Sequence, residues 1–435
     1  MPEWLFHIPA FVKVGGSFAG ILLANRLGLH LGVAIVLFSV VLSLWSGTGM
    51  AGIEGQVLRF TRAENWLLPI VILFLLFFTE GLNRSGRMKQ TMDALKFWLK
   101  SKRMLLAGFP ALVGLLPMPG GAIVSAPMVA GVDEENALDP PHKVAINYWF
   151  RHLWEYWWPL YPGVILAMSY SGLPVALFFA IQIPFSAATM LGGYLFILKR
   201  IPMEDNGRIR LRDLNLKDVG AALLPIMVLV ASSLAGSAVF PRLGMEGSLA
   251  SLVSMLAGLV LAMTIVFAAN RPSFAVSLSF FKEKTTWLMM VLVIGIQLFS
   301  GVLAYPLDPA GHTIVTAMRD EFLRAGIPIL SLVMLIPFIS GAVTGVAFGF
   351  VGASFPIVFA LVGPEPTTAV AAATTALAYS FGYMGMMMSP MHVCFVVTGE
   401  YFHCSPYSAY RYIAGPAALV LLAALFLSGL YYLIL

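Results

Sequence analysis

Leu115-Leu116-Pro117-Met118-Pro119-Gly120-Gly121-Ala122 cannot continue as a helix: two prolines remove backbone donors and two glycines loosen the chain. Apolar residues nevertheless flank it on both sides. A shift of 220 residues brings it onto Leu335-Ile336-Pro337-Phe338-Ile339-Ser340-Gly341-Ala342. At the same shift Gly81 meets Gly301, the span 65–83 meets 285–303, and 30–46 meets 250–266. One offset held across three elements predicts an internal duplication.

The 435 residues are 59% hydrophobic and 11% charged, with a mean hydropathy of +0.88. A soluble domain carries roughly 25% charged residues, so a water-soluble fold would lack groups to cover its surface. The composition implies a polytopic, all-α membrane protein in the cell (inner) membrane. It excludes nucleic-acid binding, disulfide-stapled secretion and soluble dehydrogenase or kinase chemistry. Cys394 and Cys404 give no disulfide framework and no metal-ligand spacing. The start, Met1-Pro2-Glu3-Trp4, lacks the basic region and cleavage site of a signal peptide, so the first apolar stretch is expected to be retained.

Candidate spans of about 20 apolar residues are 30–46, 65–83, 175–198, 219–240, 248–269, 285–305 and 409–434, with 5–25 interrupted by Lys13. The stretches 104–130 and 327–361 read as re-entrant hairpins, and 143–171 and 367–402 as broken helices. Segments 86–102 and 310–324 are amphipathic, suited to lying on the membrane with the apolar face down. The organisation is a first repeat over 1–200, a basic cytoplasmic linker over 201–217, and an inverted second repeat over 218–435. That gives about 10 transmembrane helices in a five-plus-five layout. Threading this path puts 19 Lys and Arg inside and 6 outside, with Arg151 inside a helix, out of 26. The split obeys the positive-inside rule.

Irregular backbone survives in hydrocarbon only where protein covers it or where it lines a wet cavity. The hairpin tips Pro119, Gly120 and Gly121, followed by Ser125, and Ser340, Gly341, Thr344 and Gly345, are therefore candidate substrate-binding elements. Amides near helix N-termini favour an anion there; close helix packing is the plainer use of the same small residues. The breaks at Trp158-Pro159-Leu160-Tyr161-Pro162-Gly163 and at Gly382-Tyr383-Met384-Gly385 with Ser389-Pro390 occupy corresponding places in two halves, the pattern that points to a transporter midplane site. Asn147, Arg151 and Glu155 at i, i+4, i+8 share a helical face, amid four of the nine tryptophans, a cluster that suits an interfacial belt. Glu80, Arg151, His152, Glu155 and His392 are candidates for proton or ion coupling; a solvated helix end, a structural ion pair and a packing histidine are their plainer readings. No HExxH or P-loop is present, so coupling would come from an ion gradient. A cation/proton antiporter on the same scaffold, or a membrane-embedded hydrolase using His152 and Glu155, are the competing functions.

The paired hairpins and broken helices resemble the ion transporter superfamily, which includes gluconate permeases and dicarboxylate/sodium symporters. More closely, Leu116-Pro117-Met118-Pro119-Gly120-Gly121-Ala122, Asn147-Tyr148-Trp149-Phe150-Arg151-His152 and Ser389-Pro390-Met391-His392-Val393-Cys394 look like an uncharacterised prokaryotic integral membrane family placed within it. The resemblance implies secondary transport of small organic anions with Na+ or H+, elevator-like motion, and often a homodimer. It implies no resident cofactor. The symporter branch carries Ser-Asn-Thr at both tips; Pro119-Gly120-Gly121 and Ser340-Gly341-Ala342 depart from that.

Overall fold

The computed structural model describes residues 8–84, 101–115, 121–133, 137–199, 201, 216–245, 247–269, 278–363 and 365–435. The expected tip residues Pro119 and Gly120, most of the amphipathic segment 86–102 and most of the basic linker lie outside them. Leu-, Ile-, Val- and Phe-rich runs form helices throughout, because a backbone out of water must bond to itself. No strand occurs among the described residues.

The helices are α1 (Ala10–Arg26), α2 (Leu31–Ser46), α3 (Gly49–Arg59), α4 (Leu67–Arg84), α5 (Lys102–Gly114), α6 (Gly121–Val132), α7 (Pro140–Arg151), α8 (Pro162–Ser171) and α9 (Val175–Gly193). They continue as α10 (Leu216–Val239), α11 (Gly247–Ala269), α12 (Lys284–Leu303), α13 (Ile314–Arg324), α14 (Ile329–Thr344), α15 (Ala347–Val362), α16 (Thr368–Met387), α17 (Val393–Tyr401) and α18 (Tyr410–Ile434). Five helical stretches among the described residues are long and apolar enough to cross a membrane: Val175–Leu198, Leu224–Leu243, Leu249–Ala268, Lys284–Leu303 and Pro406–Ile434. Shorter apolar helices include α2, α6 and α15. The protein is an all-helical, membrane-embedded chain.

α2 packs on α12 and α4 on α11. The first of these seams is tight, since a Cβ on Gly32 would lie 2.6 Å from the backbone of Leu292, the small-residue contact typical of helices in lipid. α5 packs on α6 and α7, and α14 on α15 and α16. The second turn is made by Gly345, whose φ of 64° closes α14 in the left-handed region that a side chain would resist. α6 meets α17, α15 meets α8, and α9 meets α18.

One expectation is revised, and two features come into view. The amphipathic stretch 310–324 does form α13, but Ile314, Val315 and Met318 are buried against α1 and α15 rather than turned to lipid. Glu321 fixes it by accepting from the amides of Ala10 and Phe11 at 2.9 and 2.8 Å, which caps the start of α1. The helix α3 was not foreseen, because it is short and glycine-rich with no long apolar run; it is held where Ser43 and Thr48 hydrogen-bond each other and where Gln56 is buried. Lys13, which interrupts the apolar run, lies within α1 and is buried there.

At the foot of the first hairpin, Asp133 is fully buried and accepts from Lys143 at 2.9 Å and from the amides of Ala137 and Leu138, with Lys102 at 3.6 Å. Burial disfavours its charge, but the Lys143 hydrogen bond, the Leu138 amide and the two lysine charges outweigh that and hold the carboxyl below its ordinary range. A folded pKa below the unfolded one stabilises the native state above the unfolded value and loses that contribution as pH falls through the folded value. Thermal unfolding of the detergent-solubilised protein should therefore occur at lower temperature as pH drops below the usual carboxylate range. Asp133→Asn should flatten this dependence and cost on the order of 3 kcal/mol at neutral pH; an unchanged acid profile in the variant would remove Asp133 as its source.

Candidate functional site

Two interrupted helices meet at the centre of the molecule, and neither breaks quite where expected. α7 stops at Arg151 and α8 begins at Pro162, so 152–161 is the first break. Pro159 lies in it, while Pro162 and Gly163 open α8. In the second, Gly385 and Gly382 stay inside α16, which runs to Met387, and only Ser389 and Pro390 fall in the gap before α17. These glycines serve packing: a Cβ on Gly385 would lie 2.1 Å from the carbonyl oxygen of Phe338, and one on Gly341 would lie 2.0 Å from that of Gly382.

Breaking a helix bares carbonyls that lipid cannot satisfy. Here aromatic side chains supply the donors across the molecule. Tyr383 and Tyr379 of α16 donate to the carbonyls of His152 and Glu155, each at 2.6 Å. In return Tyr148 of α7 donates to Met387 at 3.1 Å, and Tyr410 to Met388 at 2.8 Å. Trp154, Tyr161 and Trp158 cap the end of α5 at Ala111, Gly114 and Leu115, at 2.7, 2.5 and 2.9 Å. Of the four clustered tryptophans, Trp154 and Trp158 thus cap the end of α5, while Trp149 donates to Thr189 O and Trp157 to Ser186 Oγ.

Because α7 ends at Arg151, Glu155 does not continue the helical face of Asn147 and Arg151. It comes back through the turn, its carboxylate 3.8 Å from His152 Nε2. His152 is fixed by its own helix: Nδ1 donates to the Tyr148 carbonyl at 2.6 Å, so in the neutral ring Nε2 is bare. That nitrogen faces His392 Nε2 at 3.1 Å. Arg151, 3% exposed, donates from Nη1 to Cys394 Sγ at 3.4 Å. Asn147 donates to Ala122 O and to Thr398 Oγ1.

Gly121, at the start of α6, and Gly345, after α14, both rest on this cluster. A Cβ on Gly121 would lie 2.2 Å from Arg151 Nη2, and one on Gly345 would lie 3.1 Å from His392 N and 3.2 Å from Ser389 Oγ. Ser389 donates to Ala342 O at 2.7 Å, tying the second break to its hairpin. The hydroxyls of Ser125 and Thr344 bond to their own helices, at Gly121 O and Ser340 O. Three buried polar atoms around the tips have no hydrogen-bond partner among the described residues: Ser340 Oγ, Asn147 Oδ1 and His392 Nδ1. Such orphans call for a water, an ion or a ligand. Pro390 is exposed. Glu80 belongs elsewhere, paired with Arg84 beside Glu283 at the end of α4.

The residue missed from sequence is Cys394. Set aside as one of two unclustered cysteines, it is buried with His152 and His392, the three offering ligand atoms all within 4.8 Å of one another. The local signal was His392-x-Cys394; its partner, 240 residues earlier, had none. A cavity of about 250 Å³ at the far end of α8 is lined by Gln56, Arg59, Tyr170, Gln297 and Ser300.

Tyr383→Phe should strip the donor from His152 O and cost about 1–3 kcal/mol, the penalty of an unsatisfied buried carbonyl. A thermal unfolding midpoint equal to that of the unsubstituted protein would mean the carbonyl finds another donor.

A search of curated proteins finds no match to the chain. The family model described as Protein of unknown function (DUF401) matches residues 20–434. Nearly the whole chain, with both helix breaks and the His–Arg–Cys cluster between them, lies inside that match, and the protein belongs to this family.

Proposed function

We propose that the chain is a secondary active transporter of a small organic anion, with the substrate held where the two hairpin tips meet the two helix breaks. The observation that carries the reading is the convergence at one buried point: Gly121 against Arg151, Gly345 against His392, and the two breaks joined by the His152–His392 contact of 3.1 Å. A buried guanidinium facing the first turn of α6 suits an anion, because the charge and the helix dipole act together. His152, Glu155 and His392 supply the titratable groups that coupling to H+ would use; Na+ is the other candidate ion.

Packing supports an inverted duplication with about ten spans in the cell membrane. Exchange of the halves turns the α2–α12 contact into α11–α4, α6–α17 into α15–α8, and α5–α7 into α14–α16, and every one of these contacts is present. Two-fold related units around a midplane site are the layout of alternating access. On this reading α2, α4, α11 and α12 form the scaffold, against which hairpins and broken helices move. The Arg59 cavity, at the opposite end of α8 from the first break, would be a vestibule to that site.

Purified protein in liposomes, offered radiolabelled mono-, di- and tricarboxylates under an inward H+ or Na+ gradient, should accumulate at least one of them about tenfold over empty vesicles. Gly121→Ala presses only on the flexible end of Arg151, whereas Gly341→Ala strikes the backbone of Gly382. The first should abolish uptake at nearly unchanged thermal stability; the second should cost about 1–3 kcal/mol by overpacking. A folded protein that accumulates no organic anion under either gradient would end the proposal.

A further inference from the structure

We infer that His152, His392 and Cys394 bind a divalent transition metal ion of the zinc class at the junction of the two helix breaks. The donor set is two imidazoles and a thiol, the combination that selects zinc and its neighbours over magnesium or calcium. The ligand atoms of all three side chains lie within 4.8 Å of one another.

The spacing is close to that of a loaded site. Metal–nitrogen bonds of about 2.0–2.1 Å at the tetrahedral angle put two ligand nitrogens roughly 3.4 Å apart, and His152 Nε2 lies 3.1 Å from His392 Nε2. The orientation of His152 is independent support. Its Nδ1–H is spent on the Tyr148 carbonyl at 2.6 Å, leaving the Nε2 lone pair pointing at the cluster. Metal-bound histidines are held by such a bond from the other ring nitrogen. Glu155 Oε1, 3.8 Å from His152 Nε2, stands near enough to fill or guard a fourth position.

Loading has a definite proton balance. The Cys394 S–H bond breaks, its proton leaves to water, and a metal–sulfur bond forms. His392 gives up the Nε2 proton it shares with His152 and carries its ring proton on Nδ1, the buried nitrogen without a partner among the described residues. Arg151, donating to Cys394 Sγ at 3.4 Å, favours the thiolate and remains as a neighbour to it. The metal's two charges plus that of Arg151, less the thiolate and an ionised Glu155, leave one positive charge. A bound anion would cancel it, so the ion also fits the proposed substrate class; metal binding itself does not depend on that reading.

Titration of the metal-stripped, detergent-purified protein with cobalt(II) tests this. The expected result is about one cobalt per chain, with a thiolate-to-cobalt charge-transfer band and the strong visible bands of tetrahedral coordination. Cys394→Ser should remove the charge-transfer band and weaken binding at least about 100-fold, and Cys404→Ser, half-exposed and outside the cluster, should leave both unchanged. Should the unsubstituted protein give no thiolate band, or should the band survive Cys394→Ser, the site is refuted, whether or not the variants fold well. Uptake in liposomes with and without a chelator separates the two ideas. Transport without a cobalt band refutes the metal and spares the carrier; a cobalt band without any transport does the reverse.

Discussion

Carbonyl groups without water govern this structure. Each helix break leaves main-chain oxygens with no intrahelical partner in a region where no solvent can bond to them. The cost of one such bare acceptor is about 1–3 kcal/mol, and two breaks plus a hairpin end expose several. The chain answers with long aromatic donors that reach from one half into the other: tyrosines of α16 onto the first break, Tyr148 onto the second. The first interruption is therefore held from the second half, and the second by Tyr148 from the first half together with Tyr410 of its own.

That exchange of donors also fixes the polar centre. Tyr383 anchors His152 through its carbonyl while Tyr148 anchors the same residue through its ring, by way of the Nδ1 bond, so backbone and imidazole are both set. A buried arginine is expensive in hydrocarbon, and Arg151 sits among Cys394, Glu155 and the opening turn of α6 rather than facing lipid. The polar cluster thus stands on a frame of hydrogen bonds from distant tyrosines, while Ser340, Asn147 and His392 each keep a buried atom without a partner among the described residues.

Much of the architecture was legible in the residues. Apolar run length located α2, α4, α9, α11, α12 and α18 to within a few residues, because a long apolar segment has one way to satisfy its backbone. Proline and glycine pointed to the turn at Gly345 and to both breaks, but misplaced the break edges: Gly382 and Gly385 signal a gap when read alone, and only the approach of α14 and α15 reveals that they make room for Phe350, Pro337 and Phe338. Trp154 and Trp158 suggested a membrane interface because their composition was visible and their partners, the carbonyls of α5, were not. Cys394 was illegible for a related reason. A ligand set assembled from positions 152, 392 and 394 has no local spacing, and only the meeting of the two halves creates it.

The crossed tyrosine bonds also constrain how the protein can deform. Pulling the first break away from α16 would uncover oxygens at both ends of the contact, and the same holds for Tyr148 and the second break. Loosening one interruption alone gains little slack, since most of its donors sit on the helix leading into the other. The hairpins and interrupted helices are consequently sewn into a single casting, and any large excursion must carry the whole casting past its neighbours, with the seams of slippage at greasy faces where no hydrogen bond is forfeited.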